Sequence, residues 1–418
     1  MKAILVLALQ SAWARRLTLG IALVSIALST ALLLAVERVR SDARTSFTQS
    51  VSGVDLVVGA RSGAVQLILY AVFHSGSATQ NMRWESFEAL ATHPAVDWAV
   101  PLSLGDGHHG FPVLGTTPAY FERLRYGDRQ ALAFAAGHPF ADVFEAVLGS
   151  EAAAQLGYRP GDRITLSHGI TEFAPEHADK PFAVVGILAP TGTPVDRTVH
   201  VGLEAITAIH LDWAGGAPLP GLVIPAEQVR KFDLQPKEVT AMLIGLKRRG
   251  DVFRLQRQVN NQKGEPLMAV MPGVALDELW QTLGMVERLL LALSALVVMV
   301  GLTGLMATML ASLNERRREL AILRALGAGP GGIFLMLTCE GLLVTTAGAL
   351  LGSALLTIAI AVLAPLAQPY GVHLSLRPPA ANEWLLLASI LATGLIASLV
   401  PGWRAWRMAL ADGLTPRN

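Results

Sequence analysis

Histidines that stand near carboxylates are the side chains of this sequence whose types could do chemistry. Imidazole is the commonest protein ligand for transition metals, and carboxylates complete many such sites. The two candidate groups are His108 with His109, and His168 with Glu176, His177 and Asp179. Neither group has the spacing of a known metal motif, and the single cysteine, Cys339, lies far away in an apolar stretch. Ordinary surface and loop histidines are therefore the favoured interpretation, and no metal ligand is predicted.

Sequence signatures of catalysis and of nucleotide binding are missing. Ser62, Ser75 and Ser150 lack the G-x-S-x-G context of a nucleophilic serine. No Gly-Lys dipeptide occurs, so these residues cannot form a phosphate-binding P-loop. The net charge of +1 provides no basic field, and nucleic acid is not expected as a partner. We expect no catalytic residue and no cofactor on this chain.

The segment NERRRELAILRALGA, at residues 314–328, combines a charge cluster with apolar residues. The apolar residues recur at helical spacing, which predicts an amphipathic helix at about residues 314–326. An ordinary positively charged loop would explain the arginines but not this spacing, so we interpret the segment as a docking helix for a soluble partner. Its predicted contact residues are Glu315, Arg316, Arg317, Arg318, Glu319, Leu320, Leu323 and Arg324. The leucines, with Leu326, would pack either into the partner or against the chain's own helices. The glycines predicted to form a hinge after it are Gly327, Gly329, Gly331 and Gly332.

Long apolar runs must position this segment. The four runs are Leu17–Val36, Leu289–Leu313, Ile333–Leu366 and Trp384–Trp403. Each has about 20 residues or more, which is enough for a helix to cross a bilayer core of about 30 Å. With 52% hydrophobic and only 16% charged residues, the chain is predicted to be an integral membrane protein. The first run is too long for the core of a signal peptide, which favours an uncleaved anchor.

Arginines flank the apolar runs unevenly. Arg15 and Arg16 precede the first run, residues 316–318 separate the second from the third, and Arg404 and Arg407 follow the fourth. Because short basic flanks stay in the cytoplasm, both termini and the docking helix are predicted to be cytoplasmic. The long insert between the first and second runs then lies outside the cytoplasm. We expect a multi-pass membrane protein.

The insert has the pattern of a mixed α+β domain. Apolar strand-like segments such as Phe182–Leu188 and Val239–Leu246 alternate with helical segments such as Leu148–Gln155. From Ala275 onward the pattern turns helical and enters the second run without a breaker, which predicts one long helix. The predicted domains are residues 1–37, 38–288 and 289–418, with a subdivision of the insert near residues 140–149.

Gly348 and Gly352 form a G-x-x-x-G pattern inside the third apolar run. Two glycines at this spacing allow another helix to approach closely. We predict helix packing at this pair, either with a helix of the same chain or with a second copy.

These elements in this order resemble the FtsX/MacB-type permeases of ABC transporters, a group that includes the lipoprotein-release permeases. The matching motifs are ERRRELAILRALGA after the second run, VLGSEAAAQLGYRPGD with FAVVGIL in the insert, and PGWRAWRMALADGLTPR at the end. The resemblance implies an α-helical membrane protein with four transmembrane helices. A large α+β extracytoplasmic domain would lie between the first and second helices.

The resemblance also implies how such a chain works. Its expected partners are a soluble ABC ATPase, which would bind ATP and Mg, and a second permease copy or a paralogue. A periplasmic adaptor or lipoprotein is a further expected partner. ATP hydrolysis would move the extracytoplasmic domain by mechanotransmission, and so export or extract a lipid-linked or amphipathic substrate. Two alternatives stay open: a mechanical switch for an extracytoplasmic protein, and a role in metal (zinc) acquisition, which the histidines suggest.

Overall fold

The computed structural model describes residues 16–50, 52–76, 80–170, 174–214, 217–315, 317–325, 327–367 and 376–407. The chain divides into two compact units. Residues 44–283 form the first, named here the insert unit. Residues 1–43 and 284–418 form the second, named here the membrane unit.

Four long helices dominate the described part of the membrane unit, which also contains the short helix α10, and the other short helices belong to the insert unit. The helices are α1 (Arg16–Gln49), α2 (Ala64–Ala71), α3 (Trp84–Ala91), α4 (Ala119–Arg123), α5 (Ser150–Leu156), α6 (Leu203–Ile209), α7 (Ala226–Val229), α8 (Val252–Asn260), α9 (Pro272–Glu315), α10 (Arg317–Ala325), α11 (Pro330–Ala367) and α12 (Ala381–Arg407). Helices α1, α9, α11 and α12 are long and apolar enough to cross a membrane. The long helix predicted from Ala275 onward is present as α9.

The strands of the described residues all lie in the insert unit. They are β1 (Leu56–Ala60), β2 (Met82–Arg83), β3 (Val96–His108), β4 (Phe111–Thr116), β5 (Arg125–Tyr126), β6 (Gln130–Ala131), β7 (Phe134–Gly137), β8 (Glu145–Leu148), β9 (Arg163–Ile164), β10 (Phe182–Leu188), β11 (Val199–Gly202), β12 (Trp213–Ala214), β13 (Ala217–Pro218), β14 (Glu238–Val239), β15 (Ala241–Leu246) and β16 (Leu267–Val270). The fold class predicted from the sequence, four membrane helices with a large α/β domain between the first and second, is confirmed.

One mixed sheet organises the insert unit. Its strand order is β16-β1-β15-β3-β4-β11-β8-β10-β7, and β9 pairs with β10. The β4–β11 and β8–β10 pairs are parallel, and the other pairs are antiparallel. Strand β10 alternates buried and half-buried residues, as a strand with one covered face does. Strand β7 precedes residues 140–149 and β8 lies within them, and both belong to this one sheet. The subdivision predicted there stays a prediction.

An irregularity in β3 is the feature of the sheet that matters most for function. The register between β3 and β4 shifts between Leu104 and Gly107. Gly105 within the shift has φ of 153°, a backbone conformation that side chains disfavour. Bulges of this kind bend a strand and redirect a side chain. Here the redirected residue is Asp106, which is buried.

The membrane unit has an apolar core of its own. Ile26 of α1, Leu305 of α9, Leu337 of α11 and Ile390 of α12 are all nearly inaccessible and belong to one cluster. Because α1 brings its own buried stripe to this cluster, it packs as a member of the helix group rather than as a separate anchor.

The glycine pair of α11 lies against α1. A Cβ atom added to Gly348 would stand 2.7 Å from Cγ2 of Ile26, and one added to Gly352 would stand 2.5 Å from the carbonyl oxygen of Ala27. Both distances are too short for real Cβ contacts. The close approach that this pattern permits is therefore made to the first helix of the same chain.

Candidate functional site

The predicted docking segment forms a separate short helix. Helix α9 ends at Glu315, and α10 begins at Arg317 and ends at Ala325. Arg316 and Leu326 lie outside the described residues, as do the side chains of Glu315, Arg317, Arg318, Glu319 and Leu323.

The inner face of α10 packs on the membrane unit. Leu320 and Ala321 are buried, and Leu320 joins the apolar cluster that contains Leu305 and Ile390. Ile322, one position further on, is 56% exposed. The sequence left two roles open for Leu320, contact with a partner or with the chain's own helices, and the structure places it among the chain's own helices.

Arg324 connects α10 to the end of α12. Its guanidinium donates hydrogen bonds to the carbonyl oxygens of Ala405 and Trp406, at 3.3 and 3.1 Å. The last carbonyls of a helix lack partners within the helix, and a cation there also interacts favourably with the helix dipole. Of the predicted contact residues, Arg324 thus has a role within this chain.

The predicted hinge glycines differ in conformation. Gly327 has φ of 97°, and its N–H donates to the carbonyl of Arg324. Gly329 directly precedes α11, whereas Gly331 and Gly332 lie in the first turn of that helix. Among these four, Gly327 is where the chain needs a conformation that favours glycine.

A buried ion pair links the first and last membrane helices. Arg38 of α1 and Glu383 of α12 are 4% and 3% exposed, and their side chains meet at 3.1 Å. The same nitrogen, Nη2 of Arg38, also donates to the carbonyl of Arg377 at 2.7 Å, and Nε of Arg38 donates to Glu383 at 3.3 Å. Arg377 itself approaches Glu383 at 3.0 Å. This network is not visible in the sequence, because Arg38 and Glu383 lie just outside the apolar runs and 345 positions apart.

Three histidines and one aspartate meet in the insert unit. Asp106, His168, His177 and His210 each offer one ligand atom, and these four atoms lie within 4.8 Å of one another. Oδ1 of Asp106 lies 3.4 Å from Nδ1 of His168 and 3.5 Å from Nε2 of His210. The two histidine nitrogens are 3.0 Å apart. We name these four residues the histidine cluster.

Local pairing explains how distant residues meet in the histidine cluster. Gly107 and Ser167 exchange backbone hydrogen bonds, and Ser167 in turn bridges to Glu176. The first bridge therefore places Asp106 opposite His168, and the second places His177 opposite Leu166, two residues before His168. A Cβ atom at Gly107 would lie 2.4 Å from the carbonyl oxygen of Gly169, so this approach requires glycine.

His210 enters the histidine cluster from the end of α6. Its Nδ1 lies 2.8 Å from the carbonyl oxygen of Ile206, one helical turn earlier. A carbonyl can only accept, so Nδ1 carries the proton and Nε2 presents its lone pair to the cluster. His210 is also the one residue of this group that lines an open cleft of about 970 Å³.

The electrostatics of the cluster follow from burial and close contacts. Burial, together with the neighbouring His210, lowers the pKa of His177 to about 4. Burial alone would raise the pKa of Asp106, but the adjacent His168 and His210 hold it below its usual value. The same aspartate raises the pKa of His210 against the effect of burial. At neutral pH, Asp106 is a carboxylate and His177 is a neutral imidazole.

The structure brings together only some residues of the two candidate groups that the sequence suggested. His168 and His177 meet, but Glu176 interacts with the hydroxyl of Thr165 and Asp179 with Lys180. Asp106 and His210, which the sequence analysis did not single out, complete the cluster. No spacing in the sequence could have found them, because the bulge and the bridges set their positions.

The interpretation of the histidines as surface residues is wrong at several positions. His74, His108, His177 and His200 are all buried. His108 is held by the carbonyl of Thr165 at 2.6 Å and the hydroxyl of Tyr158 at 3.2 Å, whereas its neighbour His109 is exposed. His108 and His200 lie in strands β3 and β11, whereas His74 and His177 lie in loops.

Comparison with known families agrees with this architecture. Residues 17–259, more than half of the chain, match the MacB-like periplasmic core domain, and residues 291–410 match the FtsX-like permease C-terminal domain. The chain belongs to the MacB/FtsX family of ABC transporter permeases. The resemblance noted in the sequence is confirmed, and four apolar helices in such a permease indicate a multi-pass inner membrane protein.

The individual relatives have low sequence identity to this chain. The macrolide export ATP-binding/permease protein MacB of Azoarcus sp. (strain BH72) is 28% identical over 63% of this chain, and the match spans only 36% of that protein. The lipoprotein-releasing system transmembrane protein LolC of Haemophilus influenzae is 22% identical over 65% of this chain and 64% of LolC. The crystal structure of the periplasmic region of MacB from Actinobacillus actinomycetemcomitans aligns with 57% of this chain and 97% of that chain, at 12% identity and a TM-score of 0.34.

Proposed function

We propose that this chain is a permease subunit in which an ATPase, docked on α10, moves the insert unit. The observation that carries the proposal is the placement of α10 between α9 and α11, with Leu320 packed on the membrane helices and Arg324 bonded to the end of α12. A helix fixed in this way transmits a displacement to the helices that hold it. No P-loop occurs in these residues, so ATP and Mg would be bound by an ATPase outside them.

Helix α9 is the proposed route for movement toward the insert unit. Its 44 residues form one continuous helix, about 66 Å long at 1.5 Å per residue. It starts in the insert unit and ends at Glu315, and one residue separates it from the start of α10. A helix without a breaker carries an axial or tilting movement along its whole length.

The proposed cargo is a lipid-linked or amphipathic molecule. One relative is named for macrolide export and another for lipoprotein release, and both cargoes carry a large apolar part. The assembly would contain a second permease copy or a paralogue, and it could include a periplasmic adaptor. Mass spectrometry of molecules that co-purify with the complex tests the cargo class. A complex that carries only water-soluble cargo would contradict it.

The docking role of α10 is tested by charge reversal. We expect the double variant Arg317→Glu and Arg318→Glu to insert normally into the membrane but to lose co-purification with its ABC ATPase. Arg254→Glu is the matched control, because Arg254 is exposed on α8 of the insert unit, and it should retain the ATPase. Unchanged ATPase recovery with the α10 variant would refute the docking role.

Membrane orientation is tested by cysteine labelling. The single cysteine allows a Cys339→Ala background, into which Arg317→Cys or Arg254→Cys is introduced. We expect a membrane-impermeant maleimide to label residue 254 from outside and residue 317 only after the inner membrane is permeabilised. Labelling of residue 317 in intact cells would reverse the proposed topology.

A further inference from the structure

We propose that the insert unit binds one zinc ion through Asp106, His168, His177 and His210. This inference is independent of ATPase docking, because it rests only on the geometry of the histidine cluster. Three imidazoles and one carboxylate are typical ligands for Zn²⁺, which accepts nitrogen and oxygen donors.

The spacing of the ligand atoms fits a single tetrahedral ion. Four ligands held at about 2.0–2.2 Å from zinc lie roughly 3.3–3.6 Å from one another. Asp106 stands 3.4 Å from His168 and 3.5 Å from His210, and the two histidines are 3.0 Å apart. A shift of a few tenths of an ångström brings these three atoms to the tetrahedral distances. The fourth ligand atom, on His177, lies within 4.8 Å of the other three and would move closer to them when an ion binds.

The second bond of His210 is typical of a metal ligand. Ligating histidines usually donate their other ring N–H to a carboxylate or a backbone carbonyl, which fixes the tautomer and the ring orientation. His210 does so through Ile206, and its Nε2 faces the cluster, 3.0 Å from Nδ1 of His168. An ion bound there would replace the hydrogen bond between these two nitrogens, so its proton would leave Nδ1 of His168 on binding.

His177 supplies the observation that a packed core does not explain. Its side chain is completely buried, and neither ring nitrogen has a hydrogen-bond partner. Oδ1 of Asp106, which is also buried, has none either. Buried polar atoms without partners are rare and costly. One cation at the centre of the cluster would satisfy both residues.

The surrounding charges tolerate a dication. The ammonium group of Lys180 lies near the cluster, but both oxygens of Asp212 accept from it at 2.9 Å and Asp179 accepts at 2.7 Å. Asp106 adds a third carboxylate, so these groups together carry two negative charges. The local balance therefore favours a divalent cation over an empty cluster.

The histidine cluster is partly exposed to solvent on one side and covered by a ring on the other. His168 and His210 are 38% and 25% exposed, so an ion can enter from their side. On the other side, the ring of Trp213 lies 4.1 Å from the ring of His177. With four protein ligands no coordination position stays free for a reacting water, so the site holds the ion rather than using it for hydrolysis.

Zinc titration of the full chain tests the proposal. The protein is purified in detergent, treated with a chelator and titrated with ZnCl₂ by calorimetry, and bound metal is counted by mass spectrometry. We expect one zinc per chain and a higher melting temperature with zinc than without. A wild-type chain that binds no more zinc than the double variant His168→Ala and His210→Ala would overturn the site.

Single variants separate ligation from folding. His168→Ala and His210→Ala change partly exposed side chains, so both chains should fold, which melting curves without metal confirm. Each should weaken zinc binding by more than the roughly 100-fold that loss of an outer-shell partner causes. His109→Ala is the matched control, because His109 is exposed and outside the cluster, and it should bind like the wild type. Equal affinity in all three variants would contradict the assignment.

Cobalt substitution tests the number of ligands. Tetrahedral Co²⁺ absorbs visible light much more strongly than octahedral Co²⁺, so the bound ion reports its own geometry. We expect strong tetrahedral bands in the wild type, together with quenching of fluorescence that Trp213→Phe abolishes. A weak octahedral spectrum would reject the four-ligand site.

Discussion

Two groups of buried polar side chains differ in how completely their atoms are paired. In the membrane unit, Arg38 donates to Glu383 and to a backbone carbonyl, and Arg377 also approaches the same carboxylate. In the insert unit, both nitrogens of the buried His177 lack partners. Burial is almost equal in the two places, so burial alone does not distinguish them. The pairing distinguishes them. A buried ion pair whose atoms have hydrogen-bond partners stabilises the fold, whereas unpaired ligand atoms around one point indicate a binding site for an ion.

The largest effect is expected from breaking the satisfied pair. Arg38→Ala leaves the carboxylate of Glu383 buried without its main partner, which should lower the free energy of unfolding by about 3–5 kcal/mol. Thermal unfolding in detergent, followed by circular dichroism, measures this change.

An exposed ion pair serves as the control for Arg38. Arg230 and Asp142 lie 2.6 Å apart, and each is about half exposed. Water screens such a pair, so Arg230→Ala should change the stability little. Equal losses from the two variants would mean that pairing in the membrane unit has no special role.

A smaller effect is expected from acid, through two buried histidines outside the cluster. Burial lowers the pKa of His74 to about 4 and that of His200 to about 3. The unfolded chain binds these protons below about pH 6.5, so stability is complete above that pH and falls as the pH decreases toward 4 and 3. At pH 5 the loss is about 2 kcal/mol for each histidine.

Unfolding experiments between pH 7 and pH 5 check this dependence. His200→Leu removes one of the two titrating groups, so its stability should depend less on pH than that of the wild type. A pH profile unchanged by His200→Leu would show that His200 is not a neutral buried group.

The smallest effect is expected from His177→Leu in the metal-free chain. The imidazole makes no hydrogen bond there, so an apolar side chain of similar size should leave the free energy of unfolding within about 1 kcal/mol, or raise it. The contrast with Arg38→Ala then separates a functional group from a structural one. A loss as large as that of Arg38→Ala would show that His177 stabilises the fold without an ion.

Local patterns in the sequence predicted the membrane helices and the docking helix, but not the contacts between them. Apolar runs such as Leu289–Leu313 exceed the length that a bilayer requires, and helix formation there is a local property. The pairing of Arg38 with Glu383 depends on how α1 and α12 pack, which no local pattern contains.

For the same reason, the sequence suggested only two of the four residues of the histidine cluster. His168 and His177 are near one another in the chain and were considered together. Asp106 and His210 join them through the bulge in β3 and the end of α6, which are properties of the sheet. The docking contacts on α10 stay predictions, because they concern a partner rather than this chain.

The glycine at position 107 has a consequence for how related chains should be compared. Since an added methyl group would collide with the backbone at Gly169, any other residue there would push apart the two segments that carry Asp106 and His168. A homologue could keep all three histidines and still be unable to hold an ion. Under the zinc site proposed above, we expect residue 107 to separate homologues that can hold an ion from those that merely retain the imidazoles.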